Sequence, residues 1–480
     1  MHDVMMNCFL PYQISACRFY ARGSFYQSGG AYGFRDQLQD CLSIIYSSPQ
    51  TVKVHILRCC AHQYVEGSVM HWWHTKRYGR VNRGIKSKCS DDMLYLPLVV
   101  CDYLEKTGDD KILDINVRYI TSPPLNNQNE RYEQPELSNI SESVYLHCLR
   151  ALSVAERIGK NGLILMGSCD WNDGFSLVGE KGIGESVFST LLFITVANRF
   201  VGVCESRGDF DTAAHYRESI ERFKKAVEKN AFYNDRYARA ICDDGTILGI
   251  DGCAECEIDI LTQAFAAIAN LDPSRTQIAL KTAFSKLYDR KNRIFKLFSP
   301  PFNNGSARVG YIRGYVSGIR ENGGQYSHGA LWGALGFLKS GMSEEGLLVL
   351  DCINPAARCA DRDLARLYKN EPYAVSADIY SGRFAGRGGW SWYTGAASWY
   401  YRIMLEHVLG LRLGASQMLI SAEPIIAYTA ELSLGNACLK IKASAEIKTV
   451  LLDGTPTSFP MSLSDGEHTL ELPLKNLQRE

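Results

Sequence analysis

Four stretches of this 480-residue sequence crowd glycine, aromatic and charged residues together, a combination that serves neither helix propensity nor core packing. They are SFYQSGGAYGFRDQLQD at 24–40, GSCDWNDGF at 167–175, RENGGQYSHGALW at 320–332 and ADIYSGRFAGRGGWSWYTGAASWYYR at 377–402. In DWND two carboxylates, Asp170 and Asp173, flank Trp171 and Asn172 in a turn after Leu163–Met166. A carboxyl group beside an indole and away from water has its charged form disfavoured, so it can remain protonated and act as an acid. The same Asp-x-x-Asp spacing is also a common turn or capping device. GRGGWSWYTGAA sets backbone amides and a hydroxyl ahead of an apolar helix. Unpaired amides and aligned peptide dipoles at such a start suit an anion, and no GKS or GKT follows to make a nucleotide loop. His328, at the head of another helix, can donate to the same anion, although a lone histidine is as readily a packed residue. Together the four stretches suit an anionic, hydroxyl-rich ligand held against aromatic walls.

The elements that must position these residues are helices. Apolar residues recur three and four apart over Asp36–Ser47, Thr51–Val65, Ser90–Lys106, Ser141–Ile158, Gly184–Arg207, Phe210–Ala231, Ile258–Ile268, Pro273–Leu287, His328–Ser340, Ser343–Ile353 and Thr394–Leu409. Asp209, Asp272-Pro273 and Ser343 with Glu344 and Glu345 supply starts. About a dozen helices joined by loops that carry aromatics and charges predict a mainly α fold, an (α/α)6 toroid barrel over residues 1–410. A helical solenoid would need a fixed repeat, and the sequence has none. From 411 to 480 the pattern changes to short alternating runs, at Gln417–Ile420, Tyr428–Leu434, Cys438–Ala443, Thr449–Leu452 and His468–Leu472, with turn signals at Asp453-Gly454 and Asp465-Gly466. A small C-terminal antiparallel β-domain, sandwich or jelly-roll-like, is expected there.

Charge and composition narrow the function. Lys plus Arg and Asp plus Glu both number 52, so no basic surplus exists for nucleic acid or an anionic membrane. No apolar run reaches the ~18 residues of a membrane span, even at Val187–Val196, and MHDVMMNCFLPYQ does not read as a leader, so a cytoplasmic enzyme is the expectation. With 26 Tyr and 7 Trp the chain has rings enough to stack on pyranose faces, although most will be ordinary core residues. The 16 cysteines are scattered, with Cys8, Cys17, Cys41 and Cys89 in apparent helices, which fits reduced core thiols. Cys253 and Cys256 form a CxxC with no second pair, so no metal site is expected.

YQSGGAYGFRDQLQD, DWNDG, ENGGQYSHGALW and GRGGWSWYTGAA, in this order, resemble the signature stretches of the inverting glycoside phosphorylases of glycoside hydrolase family 94, and the similarity runs from about residue 7 to the end. The resemblance implies an (α/α)6 catalytic barrel with a C-terminal β-domain, and a reaction in which inorganic phosphate cleaves a β-linked gluco-disaccharide or oligosaccharide to α-glucose 1-phosphate. By motif position it implies that Asp173 is the general acid and that Trp171 lines the site of the transferred sugar. Arg35, Asp36 and Asp40 would hold that sugar's hydroxyls, His328, Thr394 and Gly395 would contact phosphate, and Arg320 and Glu321 would lie near the leaving sugar. Inverting hydrolysis needs a second carboxylate to activate water, whereas phosphate is already an anion, so one acid suffices and no metal or organic cofactor is required. A hydrolase on the same barrel, with Asp36, Glu321 or Asp378 as base, and a truncated sugar-binding relic are the alternatives.

The sequence also departs from the family's pattern. Relatives carry an N-terminal β-sandwich and a helical linker, whereas this sequence opens almost at the barrel's first helix. Exposed apolar surface is therefore expected where those parts dock, with homodimerisation or association with a separately encoded β-sandwich as the implied partnerships. IKSKCSDD, 85–92, following HWWH, 71–74, has lysines where relatives carry arginine, which keeps the charge without the planar fork. The 380–389 loop lacks an expected Pro-His.

Overall fold

Apolar periodicity turns most of the chain from residue 34 to 408 into paired helices. The computed structural model describes residues 2–19, 31–75, 82–392 and 395–475. Six helices, Phe34–Ile44, Tyr95–Thr107, Val187–Ser206, Ile260–Ile268, Ser327–Lys339 and Ala396–Ile403, pack neighbour to neighbour, the last against the first, so that they close a ring. Pro49–Cys60, Val144–Ala155, Phe210–Asn230, Pro273–Leu287, Ser343–Ile353 and the helical stretch 2–19 pack on members of that ring.

Burial separates the two sets as the sequence pattern demands. Phe210–Asn230 buries one stripe, including Ala213, Tyr216, Ile220, Phe223 and Val227, at the spacing of a helix with one wet face. Ser327–Lys339 is buried at every position from Ser327 to Phe337. Its small residues permit this closeness: a Cβ on Gly336 would stand 2.7 Å from the Ala264 Cα of the adjoining ring helix. Val187–Ser206 is long and apolar enough to cross a membrane, but 78% of its apolar window is buried inside the protein, as in a core helix.

Several boundaries differ from the sequence reading. Residues 90–94 form a bend and a 3-10 turn, and the α-helix begins only at Tyr95. Cys89 therefore lies in a connection, not in a helix, although it is buried. Pro49–Cys60 stops short of Val65, and the helix expected from Ser141 begins at Val144 because Glu136–Ser143 is a strand. Strands Ala31–Gly33, Met70–His74, Arg83–Ser87 and Glu130–Glu133 form one sheet, which the helical pattern did not disclose.

After Gly410 a second buried apolar cluster gathers Leu411, Leu419, Leu439, Ile441, Leu470 and Leu472 with Leu405 of the preceding helical turn. Tyr428–Leu434 pairs antiparallel with Ala437–Ser444 as expected, and Asp453 and Gly454, both at positive φ, close the hairpin Leu451–Leu452/Thr455–Pro456. Ala437–Ser444 and Gly466–Pro473 instead run parallel, because the connection between them carries that hairpin to the far side of Gly466–Pro473. This sheet is therefore mixed and not wholly antiparallel.

Candidate active site

The starts of the six ring helices are wired to one short turn, Asp170–Asp173. Asp170 accepts hydrogen bonds from Ser186 Oγ (2.7 Å), the N-cap of Val187–Ser206, and from both guanidinium nitrogens of Arg239 (2.6 and 2.8 Å). Arg239 also faces Asp259 at 3.2 Å, the N-cap of Ile260–Ile268. Arg35, in the first turn of Phe34–Ile44, reaches Asp91 (2.7 Å) and Asp92 (3.5 Å), just ahead of Tyr95–Thr107. The Trp171 ring packs edge-on against His328, in the first turn of Ser327–Lys339. Gln39 Oε1 joins His328 Nε2 (2.7 Å) to Trp399 Nε1 (2.8 Å), which brings the start of Ala396–Ile403 to the same place.

This wiring separates the two aspartates of DWND. Asp170 is fully buried; burial pushes its carboxyl up, but Arg239, Ser186 and the Asn172 amide outweigh it and hold the group below the usual carboxylate range. Asp170 thus fastens the turn, and the Asn172 side chain tightens it by accepting from the Gly174 amide. Asp173 stands at the cavity with 36% of its side chain exposed. Its Oδ1 receives Arg35 Nη2 at 2.5 Å and lies 3.8 Å from His71 Nε2, which leaves Oδ2 facing no partner among the described residues.

Arg35 is spent on the protein. Besides the three carboxylates it donates to the carbonyls of Asp170 (3.1 Å) and Trp171 (3.2 Å), so its fork locks the turn from beneath. His71 donates through Nδ1 to Asp92 Oδ2 at 2.7 Å. Burial works against a charged imidazole here, but Asp92 and Asp173 outweigh it and raise His71 well above its ordinary value.

Arg35, Asp36, Trp171, Asp173, Arg320, Glu321 and His328 all line this one cavity. Arg320, at positive φ, is sandwiched between the rings of Tyr315 (4.6 Å) and Trp390 (4.7 Å), pairs with Glu321 (3.1 Å) and is held through its backbone amide by Asp378 (2.7 Å). Burial raises Glu321 against the pull of Arg320, and pushes Asp378 up to about 6 against the Arg320 amide. Asp40 does not line the cavity: one helical turn beyond Asp36, it is buried where Ser398 Oγ caps its carbonyl. Gly395 N-caps Ala396–Ile403 and also stands outside the cavity wall, and Thr394 lies outside the described residues. Lys86 pairs with Glu66 (2.7 Å) and Lys88 reaches the Asn126 carbonyl (2.6 Å), so neither replaces an arginine at the cavity.

The sequence reading missed His71, Trp72, Tyr311, Tyr315 and Tyr326 among the lining residues. HWWH was visible, but nothing local says that its strand lies beside DWND. His71, Cys89 and Asp92 also bring three potential metal-ligand atoms within 4.8 Å of one another, a grouping the scattered sequence positions did not suggest. The Arg35 guanidinium sits among them, 3.6 Å from Cys89 Sγ and 3.5 Å from Asp92, and burial keeps Cys89 a thiol. A cation beside a protonated thiol is a poor metal pocket.

Fold and site together define a mainly helical carbohydrate-active domain. Solved structures of similar fold include a rhamnosidase from Klebsiella oxytoca with rhamnose bound, with a TM-score of 0.51 at 10% identity over 83% of this chain and 63% of that one. The GH78 family rhamnosidase of Bacillus sp. GL1 aligns with a TM-score of 0.52 at 11% identity over 98% and 43%. Residues 1–410 match the family model for the glycosyl hydrolase 94 superfamily catalytic domain, and the chain belongs to that family. It is 38% identical to the cyclic beta-(1,2)-glucan synthase NdvB of Rhizobium meliloti (strain 1021) over 93% of this chain and 16% of that protein. It is 28% identical to the solabiose phosphorylase of Paenibacillus borealis over 80% and 46%, and 24% identical to the N,N'-diacetylchitobiose phosphorylase of Vibrio proteolyticus over 88% and 53%. The chain thus spans about half, or less, of the length of these relatives.

Proposed function

We propose that this chain is the catalytic part of an inverting glycoside phosphorylase, an (α/α)6 barrel to about residue 410 followed by a β-domain, that cleaves a β-linked gluco-oligosaccharide with inorganic phosphate. The observation that carries this reading is the placement of Asp173, paired through Oδ1 with Arg35 and lining the same chamber as Trp171 and His328. Asp173 gives its proton to the departing glycosidic oxygen while phosphate, held by His328 at the start of its helix, attacks the anomeric carbon from the opposite face and leaves α-glucose 1-phosphate. Six helix starts aimed at one chamber add partial positive charge, which favours the phosphate. Glu321 and Asp378, which could otherwise activate water, are shifted by burial toward their neutral forms, and a base must be ionised.

The name of the most similar of these relatives, a cyclic beta-(1,2)-glucan synthase, makes β-1,2-linked glucose a first choice of substrate. Incubation with phosphate and a panel of β-1,2-, β-1,3- and β-1,4-linked glucose disaccharides is expected to release α-glucose 1-phosphate, and Asp173→Asn to lower that rate by at least ~10³-fold. Turnover that proceeds equally well without phosphate would select the hydrolase, and saccharide binding without turnover a sugar-binding relic.

A further inference from the structure

We infer that His71 is the positioning residue of the acid: an imidazole braced by Asp92 that holds Asp173 and supplies the proton Asp173 delivers. This rests on the reading of Asp173 as the acid. Two independent observations single out His71. Its Nε2 stands 3.8 Å from Asp173 Oδ1 while its Nδ1 is engaged at 2.7 Å by Asp92, a carboxylate–imidazole–carboxylate row that ends in the cavity. And His71 is the residue at which the ladder slips, since Met70 pairs with Lys86 but Trp72 with Ile85. Such a bulge inserts one unpaired residue and re-aims its side chain, a device that recurs beside active sites.

The other groups touching Asp173 cannot do this work. Arg35 is closer, but a guanidinium does not release a proton. Cys169 Sγ is also 3.8 Å from Oδ1; its hydrogen bond with Cys89 pulls the thiol down, but burial together with Asp173 and Asp92 outweighs it, and it stays a thiol to about 11. Tyr311, Tyr315 and Glu321 line the same cavity and burial raises all three, but among the described residues no hydrogen bond or ion pair joins any of them to Asp173. The groups facing His71 itself are Asp92 and Cys89 from the 88–92 connection, Asp173 from its turn, and the Arg35 guanidinium, a cation paired with the same two carboxylates. A carboxyl paired with an arginine needs a proton source at hand to serve as an acid, and the imidazole, which Asp92 and Asp173 hold in its protonated form against burial, is the neighbour placed to be one.

When a saccharide fills the cavity and displaces water, the charged pair loses its hydration and the neutral pair gains. His71 Nε2 closes from 3.8 Å to hydrogen-bond range, its N–H bond breaks and Oδ1 of Asp173 takes the proton; the carboxylic acid then turns about its Cβ–Cγ bond, so that Oδ2 takes over the hydrogen bond from Arg35 and Oδ1 offers the proton to the glycosidic oxygen. The bond from that oxygen to the anomeric carbon breaks as a phosphate oxygen bonds to the carbon. The hydrogen of the attacking monohydrogen phosphate then returns through water to His71, so no proton is gained or lost over the cycle.

Two measurements test this on the full chain. In imidazole NMR, with the His71 signal assigned through His71→Gln, His71 is expected to stay protonated past pH 6.5, and its midpoint to fall by on the order of one unit in Asp173→Asn. A neutral His71 at pH 6.5, or a midpoint indifferent to Asp173→Asn, overturns the inference whether or not the chain proves to be a phosphorylase. In kinetics, His71→Gln is expected to slow phosphorolysis of the best disaccharide by ~10²-fold, and of 2,4-dinitrophenyl β-glucoside, whose leaving group needs no proton, by less than about fivefold. Equal losses on both substrates also overturn it. Failure of the wild type to form any α-glucose 1-phosphate strikes the phosphorylase reading alone, and the NMR midpoint then decides the role of His71.

Discussion

Arg35 and Asp170 show how side chains that look like ligand contacts become the frame that aims one. All of the guanidinium nitrogens of Arg35 face protein acceptors, so its effect on a sugar passes through the placement of Asp173. Arg35→Lys keeps the charge and loses the fork; it is expected to lower kcat by ~10²-fold with KM nearly unchanged, the signature of a misplaced acid. A raised KM at constant kcat would instead return Arg35 to the sugar. Asp170→Asn is expected to cost about 3–5 kcal/mol in urea unfolding, because it leaves the fully buried Arg239 with Asp259 alone. An unchanged midpoint would show that Asp259 suffices. The residue types of DWND leave its two aspartates equivalent, and only the family resemblance pointed to Asp173; what distinguishes them physically is Arg239, brought to Asp170 by the fold. Asp40 was expected to hold a sugar hydroxyl, yet it does not line the cavity. Adjacent helical positions point about 100° apart, and the sequence does not fix the helix phase that instead turns Gln39 toward His328 and Trp399.

Among the elements, those whose ends carry their own chemistry were legible and those that depend on distant partners were not. Pro273–Leu287 and Ser343–Ile353 fall where expected, the first because Asp272 caps the Arg275 amide and Pro273 presets the first turn. Met70–His74 and Arg83–Ser87 are five residues each, pair with one another and with remote strands, and offer no turn signal, so the sheet that holds His71 stayed hidden. The ring was legible as a count of amphipathic segments, but its closeness depends on small residues that periodicity does not weigh. Gly336→Ala tests this: the new Cβ would meet the backbone of Ala264, which cannot turn aside as a side chain could. A cost of about 1–3 kcal/mol in urea unfolding is expected, with weaker phosphate binding because the same helix carries His328. Full stability and unchanged binding would mean that neighbouring ring helices can slide apart freely.

At the scale of the whole molecule, gathering six helix starts at the cavity leaves helix ends, with their partial negative charge, gathered on the far side. The chain places cations there. Lys106 and Lys339 close their helices, and Arg199, Arg402 and Arg412 stand nearby, around a hub at Asp102. Buried Asp102 takes Arg402 at 2.5 and 2.9 Å and Arg199 at 2.7 Å, which ties three ring helices together, while Lys106 reaches the Leu413 carbonyl and Arg412 pairs with Glu105 to tie in the strands that follow. Burial pushes the Asp102 carboxyl up, but Arg199 and Arg402 outweigh it and bring it down to about 2, from 3.8. A depressed acid contributes stability that is complete above its unfolded value and lost as pH falls through the folded one, here about 2–3 kcal/mol between roughly pH 4 and pH 2. Asp102→Asn removes that contribution and leaves the half-buried Arg199 and Arg402 with Glu105 and Glu406 as their remaining partners. The difference in unfolding free energy between wild type and Asp102→Asn is therefore expected to be constant at about 3–5 kcal/mol from pH 7 to pH 5 and to narrow below about pH 4 as the wild-type carboxyl takes up its proton. A difference that already narrows between pH 7 and pH 5 would place the titration on other groups and remove Asp102 as the hub that holds the closed ring at its far end.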